Sequence, residues 1–128
     1  MMNGIIYGLL FVGGGIGTVL RHAVNVHFTR WFGAGFPLHT LFENVTGSLV
    51  MGLLAGYFAF RAELPQELRL FLMTGVIGGY TTFSAFSLDA VLLWERGQWL
   101  MASGYAAGSV LFSIFGLVAG LALMRTLS

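Results

Sequence analysis

The chain has 128 residues, 57% of them hydrophobic and only 9% charged, with a net charge of +1. A soluble domain carries about a quarter charged residues, and a chain this short keeps much of its surface wet. The composition therefore excludes a soluble globular protein and predicts an all-α integral membrane protein. The few charges are too scattered to hold nucleic acid, and the lack of cysteine excludes disulfides, a thiol nucleophile and thiolate metal sites.

A bilayer crossing takes about 20 apolar residues. On that measure the chain reads as a single domain over 1–128, with membrane helices near 4–24, 38–60, 67–95 and 98–125. The first apolar run begins at once without a basic leader, so no cleaved signal peptide is expected. It closes at Arg21 and His22. A polar stretch, 25–37, follows, with Arg30 and Trp31 as anchors at the membrane surface. The second span holds one charge, Glu43. In the turn after it, Pro65 suits the first turn of the next helix and Glu67 its positive end. Asp89, Glu95 and Arg96 read as a helix end and its solvated rim. The fourth span is uncharged as far as Arg125.

The third span is longer than one straight crossing needs. Its middle carries Gly75, Gly78 and Gly79, then the hydroxyls of Tyr80, Thr81, Thr82 and Ser84, then Phe83 and Phe86. Glycine costs about 1 kcal/mol against alanine inside a helix, and threonine adds less. A break is therefore expected over 75–82. Irregular backbone survives at membrane depth only where protein or a watery cavity shields it. Such breaks turn freed carbonyls and amides toward ions.

Two polar stripes accompany the break. Thr40, Asn44, Gly47, Ser48 and Met51 share one face of the second span, and Tyr105, Ser109 and Ser113 are spaced four apart on the fourth. Each hydroxyl alone is better explained by a bond between helices. Asn44 is not, because its amide has two donors that its own helix cannot satisfy. Together with the break, the stripes read as a lined pathway without any Lys or Arg. Phe83 and Phe86 have electropositive ring edges, so a small hard anion can lie against them while Asn44, Ser109 or Ser113 donates hydrogen bonds. Read alone, the two rings are ordinary packing or lipid-facing residues. The carbonyls of 78–81 can hold a monovalent cation, on a two-fold axis if two copies meet there; capping by side chains alone is the other reading.

Small residues recur four apart at Gly4 and Gly8, Gly13 and Gly17, Gly52 and Gly56, Gly104 and Gly108, and Gly116 and Gly120, as in tightly packed membrane helices. With four spans both termini share a side. Arg61, Arg69 and Arg125 then face Arg21, Arg30 and Arg96 across the membrane. Orientation follows an imbalance of basic residues. Here none exists, so the chain is expected to insert both ways up and pair with an inverted copy.

Gly78-Gly-Tyr-Thr-Thr-Phe-Ser-Ala-Phe86 resembles the third-helix signature of the Fluc (CrcB) fluoride channels. His39-Thr-Leu-Phe-Glu-Asn-Val-Thr-Gly47 resembles that family's second-helix pattern, and Gly13-Gly-Gly-Ile-Gly-Thr-Val-Leu-Arg21 its first-helix run. Tyr105 with Ser109 resembles its fourth-helix stripe. The resemblance implies passive export of fluoride across a bacterial inner membrane by an antiparallel homodimer with two pores and a central structural Na+. By position it places Asn44, Phe83, Phe86, Ser109, Ser113, Thr40 and Tyr105 on the fluoride path. It places the backbone oxygens of Gly78 and Thr81 on Na+, and Arg21 at a vestibule.

Glu43 departs from the pattern, which has a small or apolar residue there, and His39 replaces a glycine. Ionised, Glu43 repels an anion; protonated, it donates a hydrogen bond. It is either a gate or a substitution, or it snorkels to the nearby surface. The alternative class is a small-multidrug-resistance antiporter using Glu43. In that class the glutamate belongs in the first span and a broken third helix has no role. His22, His27 and His39 lack metal-site spacing, and no nucleophile–base pair suggests an enzyme.

Overall fold

A computed structural model describes residues 2–127. The chain runs through α1 (Met2–Phe32), α2 (Leu38–Ala59), α3 (Gln66–Arg69), a π-helical run (Leu70–Ile77), α4 (Gly78–Tyr80), α5 (Phe83–Glu95) and α6 (Trp99–Leu127). No strand occurs among the described residues. Four stretches, Gly4–Phe32, Leu38–Ala59, Gln66–Glu95 and Trp99–Leu127, are long and apolar enough to cross a bilayer. The protein is thus all-helical, with four candidate spans.

α1 is longer than the sequence suggests. Residues 25–32 continue the helix instead of forming a polar connection. No glycine or proline interrupts 18–32, and the Phe28 ring packs against Phe42 of α2 with centroids 4.9 Å apart. At about 1.5 Å per residue, the helix is longer than a hydrocarbon core of about 30 Å is thick, and Arg30 and Trp31 lie in its last turn. Gly33, at φ +79°, ends it: that left-handed conformation suits glycine.

The third span breaks inside the expected 75–82 window, but only at its end and over two residues. Gly75, Gly78 and Gly79 all remain helical. Only Thr81 (φ −84°, ψ 158°) and Thr82 (φ −154°, ψ 121°) are extended. The glycines serve contact instead of rupture. A Cβ on Gly13 would sit 2.8 Å from the Phe71 carbonyl oxygen, one on Gly79 would sit 2.5 Å from that of Gly14, and one on Gly17 would strike that of Val76. α1 and the first half of the third span therefore touch backbone to backbone. α2 and α6 do the same: a Cβ on Gly52 would strike the Leu117 carbonyl, and one on Gly120 that of Leu49. Gly4, Gly8 and Gly104 face open space.

Phe86, Leu93, Ala102 and Tyr105 form the buried cluster where α5 meets α6. It fixes the second half of the third span beside the polar stripe of α6.

Overpacking a tight core costs about 1–3 kcal/mol. Gly52→Val is expected to lower thermal stability in detergent by that amount, while Gly4→Ala leaves it unchanged. Circular-dichroism melts check both.

Candidate functional site

The break and Asn44 are one unit. Asn44 Oδ1 accepts the Thr82 backbone N–H at 2.8 Å, and its Nδ2 donates to the Thr82 carbonyl at 3.0 Å. The side chain of α2 thus replaces the ladder that the extended backbone gives up. In a helix, Thr82 N–H would serve the Gly78 carbonyl and Ala85 N–H the Thr81 carbonyl. Here Ala85 N–H donates to Thr82 Oγ1 at 3.1 Å, capping α5. Both helical donors are diverted, which frees the carbonyls of Gly78 and Thr81. Arg21 Nε donates to the Gly79 carbonyl at 3.1 Å, tying α1 to the same place. Thr46 Oγ1 donates to the Phe42 carbonyl at 2.6 Å, so the Tyr80 hydroxyl donates to Thr46 at 3.0 Å.

Beside the break lies a groove of about 310 Å³. α2 contributes Asn44, Gly47, Ser48 and Met51; the third span contributes Thr81, Thr82, Phe83 and Phe86; α6 contributes Ser109 and Ser113. Five of the seven residues placed on a path from sequence, namely Asn44, Phe83, Phe86, Ser109 and Ser113, meet in this one groove. The two phenyl centroids are 5.4 Å apart. Phe86 is buried, but Phe83 is 75% exposed and forms the open wall. One Nδ2 hydrogen of Asn44 is taken by Thr82, which leaves one for the groove. Ser109 is buried, and its Oγ has no hydrogen-bond partner among the described residues. A buried hydroxyl without a partner costs about 1–3 kcal/mol.

Thr40 and Tyr105 do not line the groove. They converge on Asp89, with Thr40 Oγ1 donating to Oδ2 at 2.7 Å and the Tyr105 hydroxyl at 3.2 Å. Asp89 is half-buried instead of a freely solvated rim residue; it draws hydroxyls from two other helices, α2 and α6, to α5. Its signal was present: it is a lone carboxylate inside an apolar span, and such residues mark functional sites. The Phe86 ring packs 5.2 Å from Tyr105, so the α6 stripe runs from this cluster into the groove. Glu43 does not snorkel. It is 1% exposed and lies against Asn25 of α1, whose amide nitrogen, turned inward, is 2.7 Å from Oε2.

Residues 8–121 match the family described as CrcB-like protein, Camphor Resistance (CrcB). The chain belongs to the CrcB-like family. Among its relatives is the fluoride-specific ion channel FluC of Rhodopseudomonas palustris (strain BisB5), 59% identical over 122 residues, which cover 95% of this chain and 98% of the relative. FluC 2 of Nitrobacter hamburgensis is 60% identical over the same shares. FluC of Granulibacter bethesdensis is 50% identical over 121 residues, covering 94% and 95%. These CrcB-like relatives are named as channels, not enzymes.

Asn44→Ala removes both partners of the Thr82 backbone. The expected loss is about 1–3 kcal/mol for each unpaired group. Loss of hydrogen-exchange protection at the Thr82 amide checks it.

Proposed function

We propose that this chain is a passive fluoride channel. It exports fluoride across a bacterial inner membrane as an inverted homodimer with two pores and a central structural Na+. The observation that carries this reading is the donor set of the groove: the partnerless Ser109 hydroxyl and the remaining Asn44 hydrogen, beside two phenyl rings. Fluoride is small and strongly hydrated. It exchanges water for amide and hydroxyl donors and for ring edges, and no fixed cation traps it. Ser113 extends the donors along α6. Thr40 and Tyr105 stand one turn further, where Asp89 orients their hydroxyls and holds the end of the path. Arg21, bonded to the break, supplies positive potential at the vestibule.

The Na+ reading fits the local chemistry. The carbonyls of Gly78 and Thr81 have lost their helical donors, and neutral oxygens suit a monovalent ion. Two copies related by a two-fold axis supply each oxygen twice. Phe83 supports a second copy, since a partner would cover its open face. Three arginines on each side support insertion in both orientations. The antiporter reading depends on Glu43, which does not line the groove.

Fluoride efflux from liposomes holding only this protein, read with a fluoride-selective electrode, tests the function. Fluoride flux without chloride flux is expected; no flux of either ion would sink the reading. Phe83→Ile removes a ring edge worth about 1 kcal/mol. It should cut flux roughly five- to tenfold while cross-linking still captures the dimer. Replacing Na+ with a large organic cation should weaken the dimer or the flux without changing selectivity.

A further inference from the structure

Residues 80, 81 and 82 carry the chain through the break, and one short stretch of α2 holds all of them. Asn44 takes both polar groups of the Thr82 backbone. Gly47 makes room for the other two residues. A Cβ there would strike the Thr81 methyl and would sit 3.2 Å from Cδ2 of the Tyr80 ring. Thr46 adds a further hold. Its Oγ1 gives its one proton to the Phe42 carbonyl at 2.6 Å, so toward the Tyr80 hydroxyl, 3.0 Å away, it only accepts. Asn44, Thr46 and Gly47 fall within about one turn of helix. α2 is therefore a template against which residues 80–82 are set.

α1 holds the other flank. Arg21 Nε donates to the Gly79 carbonyl at 3.1 Å, and Gly79 lies against the Gly14 backbone. The Thr81 N–H and its Oγ1 both donate to the Ile77 carbonyl at 3.0 Å. The Ile77 and Gly79 carbonyls are thus committed, while those of Gly78 and Thr81 are released from the helix. The direction of one released carbonyl relative to the other depends on the soft torsions of residues 79, 80 and 81. Residue 79 is fixed by α1, and residue 81 by Gly47 and Ile77. For residue 80 the anchor is its side chain.

The Tyr80 hydroxyl is not spent on the groove. Neither Tyr80 nor Thr46 lines it; Thr46 lines an apolar cleft with Phe42, Val45 and Leu49 of α2. For packing on Gly47 a phenylalanine would serve as well. The hydroxyl adds a bond of defined length and direction to a ring that the break carries with it.

We propose that Tyr80 is a positioning residue: its hydroxyl, clamped on Thr46, holds the Gly78 and Thr81 carbonyls in place for a small monovalent cation. The inference rests on the channel reading for the cation and for the second copy that supplies the same oxygens again. Neutral oxygens hold such an ion by their number and placement. Without the clamp, only the fraction of molecules with both carbonyls in place binds it, and the apparent dissociation constant rises as that fraction falls. One hydrogen bond changes the fraction about fivefold.

The probe is Na+ itself. Isothermal titration calorimetry follows NaCl added to detergent-solubilised protein in a buffer whose other cation is large and organic. Fluoride and chloride efflux from liposomes are measured alongside, with thermal melts in the absence of Na+. Tyr80→Phe removes the hydroxyl and keeps the ring; Thr46→Val removes the acceptor and keeps the shape. Each is expected to raise the Na+ dissociation constant about fivefold, and the double variant no more than either alone. Thr46→Ser keeps the acceptor and binds as wild type. A bond with a merely structural role lowers the melting temperature and leaves the dissociation constant where it was. A wild-type dissociation constant in Tyr80→Phe therefore overturns the clamp, as does a double variant in which the two losses add. Should Tyr80→Phe fail to assemble, a wild-type dissociation constant in Thr46→Val overturns it instead. Wild-type protein that passes fluoride but takes up no Na+ overturns the cation site, and the clamp with it, and leaves the channel standing. Na+ uptake that weakens in both variants of a protein passing no fluoride supports the clamp and overturns the channel reading.

Discussion

A backbone that leaves its helix inside a bilayer must find other hydrogen-bond partners, because lipid offers none. Everything notable in this chain follows from meeting that requirement at Thr82 with one side chain. Asn44 matches an amide to an amide, accepting the Thr82 N–H and donating to its carbonyl. The pair holds α2 in register with the third span. It starts α5 at the angle that brings Phe83 and Phe86 to the groove, and it releases two carbonyls from helical duty. The same contact is thus a stability device and the origin of the site.

The groove gains its character from what is partnered and what is not. Most hydroxyls near the break are committed: Thr81 to the Ile77 carbonyl, Thr82 to Ala85, Tyr80 to Thr46. Ser109 is not. Packing by glycine makes this selectivity affordable, since helices in backbone contact leave no room for water to satisfy the wrong group. α1 touches the first half of the third span through Gly13 and Gly17, and α2 touches α6 through Gly52 and Gly120.

Much of this was legible in the sequence. Spacing put Asn44, Ser109 and Ser113 on facing stripes, and the hydroxyl-rich run with its two phenylalanines marked the break. The place of the break within 75–82 was not legible, because glycine both loosens a helix and lets helices touch. Which use prevails depends on a neighbour: Gly79 meets Gly14 and stays helical. The length of α1 was hidden by its polar residues; of these Asn25 turns to Glu43, while His27, Thr29 and Arg30 stay exposed. Asp89 was passed over because it sits close to Glu95 and Arg96, which do form a rim. Its bonded role emerges only when Thr40 and Tyr105 arrive from other helices.

The pairing of helices divides the chain into two bodies. One is α1 with residues 66–80; the other is α2, α5 and α6. The chain passes from the first body to the second through two extended residues, Thr81 and Thr82. Any sliding of one body over the other is concentrated at that joint, where the freed carbonyls also lie. Bending of a surrounding bilayer would therefore be felt first at Thr81 and Thr82 and last in the buried cluster of α5 and α6.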